Sequence, residues 1–355
     1  MLNIPGYTLL GALKTTGTSL LFRAVRDADG LQVILKTPVL ASPGPRERER
    51  YRREFGILQR LADVRGVTRA YACEQVHDRP VLLLESLDGK PLSELTGEPF
   101  EVLRAVELAI SVASTLAELH RRGIVHKDIK PSNIIITPSG ETRLIDFGTA
   151  SLQLIEHVEA THALLAEGTL AYMSPEQTGR MNRSVDYRTD LYSLGVCLYE
   201  LLTGQVPFSG ADAMALVHGH IASQPRPPHQ LQPGVPPAVS RIVLKLLAKD
   251  AEERYQSTFG LMVDLKHCVE QLEATGTIAD FEPGKRDVSY RFQIPQRLYG
   301  REAECATLLA AFDRICQGTT ELLLVSGYSG VGKSSLVNEV HRPLARQQGY
   351  FSAGK

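Results

Sequence analysis

The chain has 355 residues with 39 basic and 40 acidic side chains, a formal charge of −1, and 43% hydrophobic residues. Near-neutrality argues against steering the whole chain to nucleic acid or an anionic membrane, and at ~150 residues per domain the length predicts about two domains. No run reaches the ~18 apolar residues of a membrane helix. The start, MLNIPGYTLLGALKTTG, lacks a basic segment followed by an apolar one, and the five cysteines are scattered without a CxxC pair, so a reduced, cytoplasmic protein is expected. From Tyr7 to Glu85, short β-rich runs predict a mainly sheet lobe. Asp29-Gly30 between apolar runs predicts a hairpin leading into Leu31–Leu35. A helix is expected after Pro45, carrying the charge run Arg46–Glu54, read mostly as a solvated face, before the apolar Phe55, Ile57, Leu58 and Leu61. Val81–Leu84 is a continuous apolar run of the kind a buried strand uses.

Beyond Phe100 the period lengthens. Leu103, Val106, Ile110, Ala113, Ala117 and His120 recur every three or four residues and end in Arg121-Arg122-Gly123, which predicts a long amphipathic helix. A second helix is expected from Thr189 as N-cap, with Asp190 in its first turn, to Gly204. The prolines between Gln224 and Pro237 predict a loop that holds no helix, and another helix begins near Ala238. After a helix ending near Leu272, residues 273–295 lack a sustained period and are read as an interdomain linker, with a new unit from Gln296.

The chemistry concentrates in two strings. His126-Lys127-Asp128-Ile129-Lys130-Pro131-Ser132-Asn133 precedes the apolar Ile134-Ile135-Ile136, and Asp146-Phe147-Gly148 follows. Phosphoryl transfer needs a carboxylate to orient the attacking hydroxyl, oxygen ligands for Mg²⁺, and cations for the phosphates. Asp128, Asn133, Asp146 and Lys130 supply each type. In these residues the sequence resembles the eukaryotic-type serine/threonine protein kinases, over residues about 7 to 270.

That resemblance implies an α+β, bilobal protein kinase fold over residues 1–272, with a β-rich N-lobe at about 7–87 and a helical C-lobe at about 88–272. It implies ATP and Mg²⁺ as cofactors and protein hydroxyls as acceptors. Lys36, ending Val33-Ile34-Leu35-Lys36, would contact the α- and β-phosphates with Glu54 as its helical partner, although Glu47 and Glu49 lie within a turn or two. Glu85 and Leu87, in the hinge Leu84-Glu85-Ser86-Leu87, would hold adenine through their backbone. Asp128 would orient the hydroxyl, Lys130 neutralise developing charge, and Asn133 with Asp146 hold the metal. Glu176, in Ser174-Pro175-Glu176, would pair with Arg254, Asp190 would brace the catalytic loop, and His126 is expected to be a packed structural residue. Lys130-Pro131 with Gly168-Thr169 favours serine or threonine as acceptor, because tyrosine kinases usually carry an alanine-arginine variant in this loop.

Two departures from the family stand out. Lys14, Thr16 and Ser19 occupy the three glycine positions of the phosphate-covering loop and only Gly17 remains, out of register. Backbone amides then approach phosphates less closely. Lys14 and the hydroxyls of Thr15, Thr16, Thr18 and Ser19 are expected to compensate in part, with weaker ATP binding. Lys127 stands where most members have arginine, a better fork for an activation-segment phosphate, so Thr149, Ser151 and Thr161 carry little weight as switch sites. These departures support the alternative of a catalytically weak nucleotide-binding scaffold.

A second constellation follows. Leu322–Ser326 is read as an apolar strand, and Gly327-Tyr328-Ser329-Gly330-Val331-Gly332-Lys333-Ser334 matches the phosphate-binding P-loop pattern, in which Gly327, Gly332, Lys333 and Ser334 would serve phosphate and Mg²⁺. Leu298-Tyr299-Gly300-Arg301-Glu302 resembles the entry of AAA-like signalling ATPases. Residues 296–355 are therefore read as the opening of an α/β P-loop domain, too short to include the Walker-B strand. The whole resembles a piece of a larger bacterial signalling protein with ATPase, sensor and histidine-kinase domains downstream, with no nucleic-acid partner and no membrane span.

Overall fold

The computed structural model describes residues 4–152, 155–156, 169–180, 183–210, 212–289, 300–328, 330–340 and 343–344. Thr161, Gly168, Leu298, Tyr299 and Ser329 lie outside them, as does the end of the expected linker, 290–295.

Strands β1 (Tyr7–Thr15), β2 (Ser19–Arg26) and β3 (Gln32–Pro38) precede helix α1 (Pro45–Arg60), and β4 (Ala70–Val76) and β5 (Arg79–Glu85) complete the lobe. They form one antiparallel sheet in the order β1-β2-β3-β5-β4. The turn between β2 and β3 uses Gly30 at φ +72°, a conformation open to glycine at no steric cost. The run Val81–Leu84 is apolar throughout because both faces of β5 are covered. Val81 and Leu83 pack with Ile4, Ala24, Val33 and Leu35 on one face, while Leu82 and Leu84 join Tyr51, Ile57 and Leu58 of α1 on the other. That second cluster continues into the helical lobe through Val67, Leu144 and Phe147, so one apolar core spans both lobes.

In the second lobe β6 (Lys90–Pro91), β7 (Ile134–Ile136) and β8 (Thr142–Leu144) form a small sheet beside α2 (Val102–Arg121). Strands β9 (Ile155–Glu156) and β10 (Val185–Asp186) pair antiparallel. Helices α3 (Arg188–Thr203), α4 (Ala213–Ala222), α5 (Pro228–Leu231), α6 (Pro237–Leu246) and α7 (Thr258–Thr275) follow. Every residue of α3 is buried, as expected of a helix enclosed on all sides. The expected bilobal α+β architecture is therefore present.

Four expectations change. Thr189 lies inside α3, whose N-cap is Tyr187; its hydroxyl instead donates to Glu176 Oε1 at 3.1 Å. The proline-rich stretch does hold a helical turn, α5, because Pro228 sits at its start, where no amide donor is required. The first part of the expected linker is packed against the helical lobe. Ile278 and Phe281 join its core, Gly284 N–H donates to Asp264 Oδ2 at 2.6 Å, and Asp287 accepts from Gln256 N–H at 2.5 Å and Ser257 Oγ at 2.7 Å. Ser257 is the N-cap of α7, and Gly260 lacks a side chain where a Cβ would collide with Asp287 Oδ1. Finally, Leu322–Ser326 is not a strand: Leu322 is 98% and Leu324 90% exposed, and among the described residues no neighbouring strand offers ladder partners.

Around that segment lie α8 (Glu302–Cys316) and α9 (Lys333–Asn338). Gly332 caps α9 at φ +89° and Gly327 has φ +155°. The Lys333 ammonium donates to the carbonyls of Gly327 and Tyr328, both at 2.8 Å, and Ser334 is exposed.

Candidate active site

Lys36 lies in β3 opposite Leu21 of β2 and Leu82 of β5, and strand alternation directs Leu35 and Lys36 to opposite faces. Its side chain, 5% exposed, reaches α1 and donates to Glu54 Oε1 and Oε2 at 2.7 and 2.8 Å, and to Asp146 Oδ1 at 2.8 Å. Burying an ammonium requires such partners. Burial opposes its charge, but the carboxylates of Asp146 and Glu54 outweigh it and hold the amine above the usual lysine range. Burial likewise pushes the Glu54 carboxyl up against the pull of Lys36. Asp146 also loses hydration, yet Lys36 and the Gly148 amide keep it well below the usual carboxylate range. Glu54 is thus the partner; Glu49 is 69% exposed and faces Arg52 at 3.9 Å.

Gly148 marks how tightly this cluster is closed. A Cβ there would lie 3.2 Å from Asp146 Oδ1, 3.3 Å from Glu54 Oε2 and 3.5 Å from Lys36 Nζ. Arg53, one residue before Glu54, donates to the Ala150 carbonyl at 2.7 Å, so α1 holds the segment after Asp146 directly.

Between α2 and β7, Lys130 Nζ pairs with Asp128 Oδ2 at 2.9 Å and donates to Thr169 Oγ1 at 2.6 Å. Asn133 Nδ2 donates to Asp128 O and Oδ2, both at 2.9 Å. These contacts fix the carboxylate of Asp128 and leave the Asn133 amide oxygen as its remaining acceptor. Lys127 holds φ +67° and Asp146 φ +63°, both in the left-handed region that side chains disfavour. Asp190, fully buried, accepts from His126 N–H at 3.0 Å, Lys127 N–H at 2.8 Å and pairs with His120 Nε2 at 2.9 Å. Burial opposes its charge, but these donors, His120 foremost, bring its carboxyl below the usual range. Gln177 Nε2 donates to the Lys127 carbonyl at 2.8 Å, completing the support of that strained residue. His126 is fully buried, edge-on to Phe147 with ring centroids 4.6 Å apart, as a packed structural residue would be.

Glu176 and Arg254 form a buried bidentate pair at 2.7 and 2.8 Å. The Arg254 guanidinium also donates to the Ala248 carbonyl at 2.8 Å and lies 4.8 Å from the Tyr192 ring centroid. Burial opposes ionisation of Glu176, but Arg254 carries it below the usual carboxylate range.

Lys36, Asp128, Lys130 and Asp146 line one cavity of about 220 Å³, roofed by residues 16–19 and floored by Thr169 and Gln177. Lys14 is exposed on β1 and does not line it. Glu85 and Leu87 lie where the chain passes from the sheet to the second lobe, outside this cavity. The Glu85 side chain is held by Arg69 N–H at 3.2 Å and Arg143 at 3.5 Å.

Residues 12–266 match the protein kinase domain family. The chain belongs to the protein kinase family. Its kinase domain is 38% identical over 202 residues to a protein named as a probable serine/threonine-protein kinase of Streptomyces coelicolor, covering 56% of this chain and 30% of that protein. It is 42% identical over 183 residues to a serine/threonine-protein kinase of Myxococcus xanthus, covering 50% and 26%. A hybrid signal transduction histidine kinase of Dictyostelium discoideum is 29% identical over 321 residues, covering 66% of this chain and 9% of that protein. The chain thus spans less than a third of the length of each of these curated relatives. Residues 297–355 match an AAA ATPase domain. Among the described residues no helix is long and apolar enough to cross a membrane.

The kinase domain also uses residues that motif reading passed over. His120, at the end of α2, meets Asp190; Gln177 supports Lys127; of the charge run, Arg50 lines the cavity, Tyr51 is buried and the exposed Arg53 reaches the Ala150 carbonyl. Of these, α1's spacing signals Tyr51, since residues 51, 54 and 58 fall on one helical face.

Proposed function

We propose that the kinase domain transfers the γ-phosphoryl group of Mg-ATP to serine or threonine hydroxyls of proteins. The observation that carries this reading is the closed Lys36–Glu54–Asp146 cluster, opposite an Asp128 carboxylate fixed by Lys130 and Asn133 in the same cavity. The backbone of Glu85 and Leu87 would hold adenine at the lobe junction, and Lys36 would bind the α- and β-phosphates. Asp128 would accept a hydrogen bond from the acceptor hydroxyl and orient it in line with the terminal phosphate. Lys130, between Asp128 and Thr169, would neutralise charge on the transferred group.

The Asn133 amide oxygen and the Asp146 carboxylate are hard oxygen donors of the type Mg²⁺ takes alongside phosphate oxygens and water. Asp146 engages Lys36 through Oδ1, which leaves Oδ2 for a cation, so the donor set fits. Bound there, the metal would screen the phosphate charge. The AAA-like segment that follows and the histidine-kinase relative support a place in a multidomain signalling protein working on ATP in the cytoplasm. The complete set of charged residues favours this reading over a catalytically silent scaffold.

The test is transfer of labelled γ-phosphate to casein by the wild-type chain and by Asp128→Asn, followed by acid hydrolysis of the product. Label on phosphoserine and phosphothreonine, lost in the variant, is expected. Equal transfer by both proteins, or label on tyrosine alone, would overturn it.

A further inference from the structure

The loop above the phosphates lacks the glycines that would aim backbone amides at an anion, and its own contacts explain what it does instead. Thr16 N–H donates to the Ser19 carbonyl at 2.9 Å, and Thr16 Oγ1 accepts from Ser19 N–H at 2.9 Å. Two of the tip amides are therefore engaged inside the hairpin. Gly17 lies outside the left-handed region, and a Cβ there would meet nothing within 4 Å, so its backbone does not demand glycine. The Ser19 hydroxyl is also engaged, with Tyr51 of α1 at 2.8 Å. Compensation by the hydroxyls of Thr16 and Ser19 is thus largely used up within the protein.

Among the cations that line the cavity, Arg50 stands apart from Lys36 and Lys130. Lys36 is held by two carboxylates, and Lys130 by Asp128 and Thr169. Arg50 of α1 lines the same cavity, and among the described residues its guanidinium hydrogen-bonds only to hydroxyls, at 3.2 Å to Thr18 and 3.4 Å to Ser19. Its Nε is buried and, among the described residues, has no hydrogen-bond partner. Among the described residues no carboxylate lies within ion-pair distance of it. The Arg50 guanidinium stacks 5.6 Å from the Tyr51 ring centroid, which keeps the side chain on the cavity side of the helix. A buried donor on a cation with no carboxylate in hydrogen-bond reach among the described residues points to an anionic partner that occupies the cavity.

We propose that Arg50 is a ligand of the nucleotide's terminal phosphates, supplying from α1 the contact that the hairpin amides do not make. The proposal rests on the phosphotransfer reading above and extends it to a residue outside the motifs. A guanidinium presents a planar fork that matches two phosphate oxygens, and such charge-assisted bonds are among the strongest polar contacts. Arg50 stands one helical turn before Glu54, so a phosphate held by Arg50 also holds α1 where Glu54 meets Lys36. Phosphate binding and the closed position of α1 become one event.

Calorimetric titration of the full chain with Mg-ATP and with adenosine separates this role from a structural one. Arg50→Ala should weaken Mg-ATP binding about 10- to 100-fold, the range of a lost charged hydrogen bond, and leave adenosine affinity within twofold. Arg50→Lys keeps the charge without the fork and should fall between the two; its ATP-to-adenosine affinity ratio decides the matter if the alanine variant does not fold. An unchanged ratio in either folded variant overturns the proposal while leaving the phosphotransfer reading intact. Failure of the wild-type chain to bind Mg-ATP more tightly than adenosine overturns both.

Discussion

Replacing Asp190 with alanine removes a fully buried carboxylate that accepts from the His126 and Lys127 amides at 3.0 and 2.8 Å and pairs with His120 at 2.9 Å. Two buried N–H groups then lose their acceptor, at about 1–3 kcal/mol each, so the fold should lose roughly 4 kcal/mol. At ~2–4 °C per kcal/mol for a domain of this size, the melting temperature should fall by about 8–16 °C. Function should fall further than stability explains. Lys127 holds φ +67° only because its neighbours fix it, and Asp128 is the next residue. Release of that backbone displaces the Asp128 carboxylate, and a misplacement of ~1 Å typically costs about 10²-fold in rate. Asp190→Asn, which keeps one acceptor oxygen, should lose about half as much stability. Differential scanning fluorimetry and single-turnover phosphate transfer below the melting transition give both quantities. An alanine variant within 3 °C and threefold of wild type, thresholds well inside the expected ~8 °C and ~10²-fold losses, would refute the bracing role.

Gly148→Ala should abolish most phosphate transfer while barely shifting the melting temperature, because its Cβ would lie 3.2 to 3.5 Å from Asp146, Glu54 and Lys36; full activity would show that the cluster opens in the working enzyme. Glu176→Gln should destabilise the helical lobe by about 3–5 kcal/mol, measured by urea unfolding, since Arg254 stays buried without its charge partner. The Glu176 carboxyl titrates below its usual range, so its stabilisation is full above the unfolded value of ~4.3 and is lost as pH falls through the folded value. The gap between wild type and Glu176→Gln should therefore stay constant from pH 8 to about 5 and close only in more acidic solution. Asp287→Ala should lower the stability of the kinase domain, by removing the acceptor of Gln256 N–H and Ser257 Oγ at the start of α7; an unchanged midpoint would mean the segment is a passive tether.

The parts of the site that sequence alone made legible are those whose chemistry is local. Asp128, Lys130 and Asn133 share one short loop, and their spacing survives folding as hydrogen bonds of 2.9 Å. The change of hydrophobic period near Phe100 separates a sheet-rich part from a helical one, and Val81–Leu84 reads as buried because both of its faces are. Partners distant in sequence were harder to read. A charge run averages over a helix, so Arg50 and Arg53 looked solvated until α1 was set against the hairpin and Ala150. Lys14 takes a glycine position of the family's phosphate-covering loop, yet it lies exposed on β1, outside the cavity. The anchoring of residues 276–289 depends on a few separated contacts, Asp264 with Gly284 and Asp287 with Ser257, that carry no periodic signal. Leu322–Ser326 has the composition of a strand, but strand structure needs a neighbour to bond with.

The most direct measurement is the rate of γ-phosphate transfer from Mg-ATP to a protein acceptor under single-turnover conditions, with Mg-ATP affinity determined on the same proteins. For Asp128→Asn, nucleotide affinity should stay within a few-fold of wild type while the transfer rate drops about 10²- to 10⁴-fold, the range for removal of a catalytic base. Transfer by Asp128→Asn at the wild-type rate would contradict the assignment of this cleft as a phosphotransferase centre.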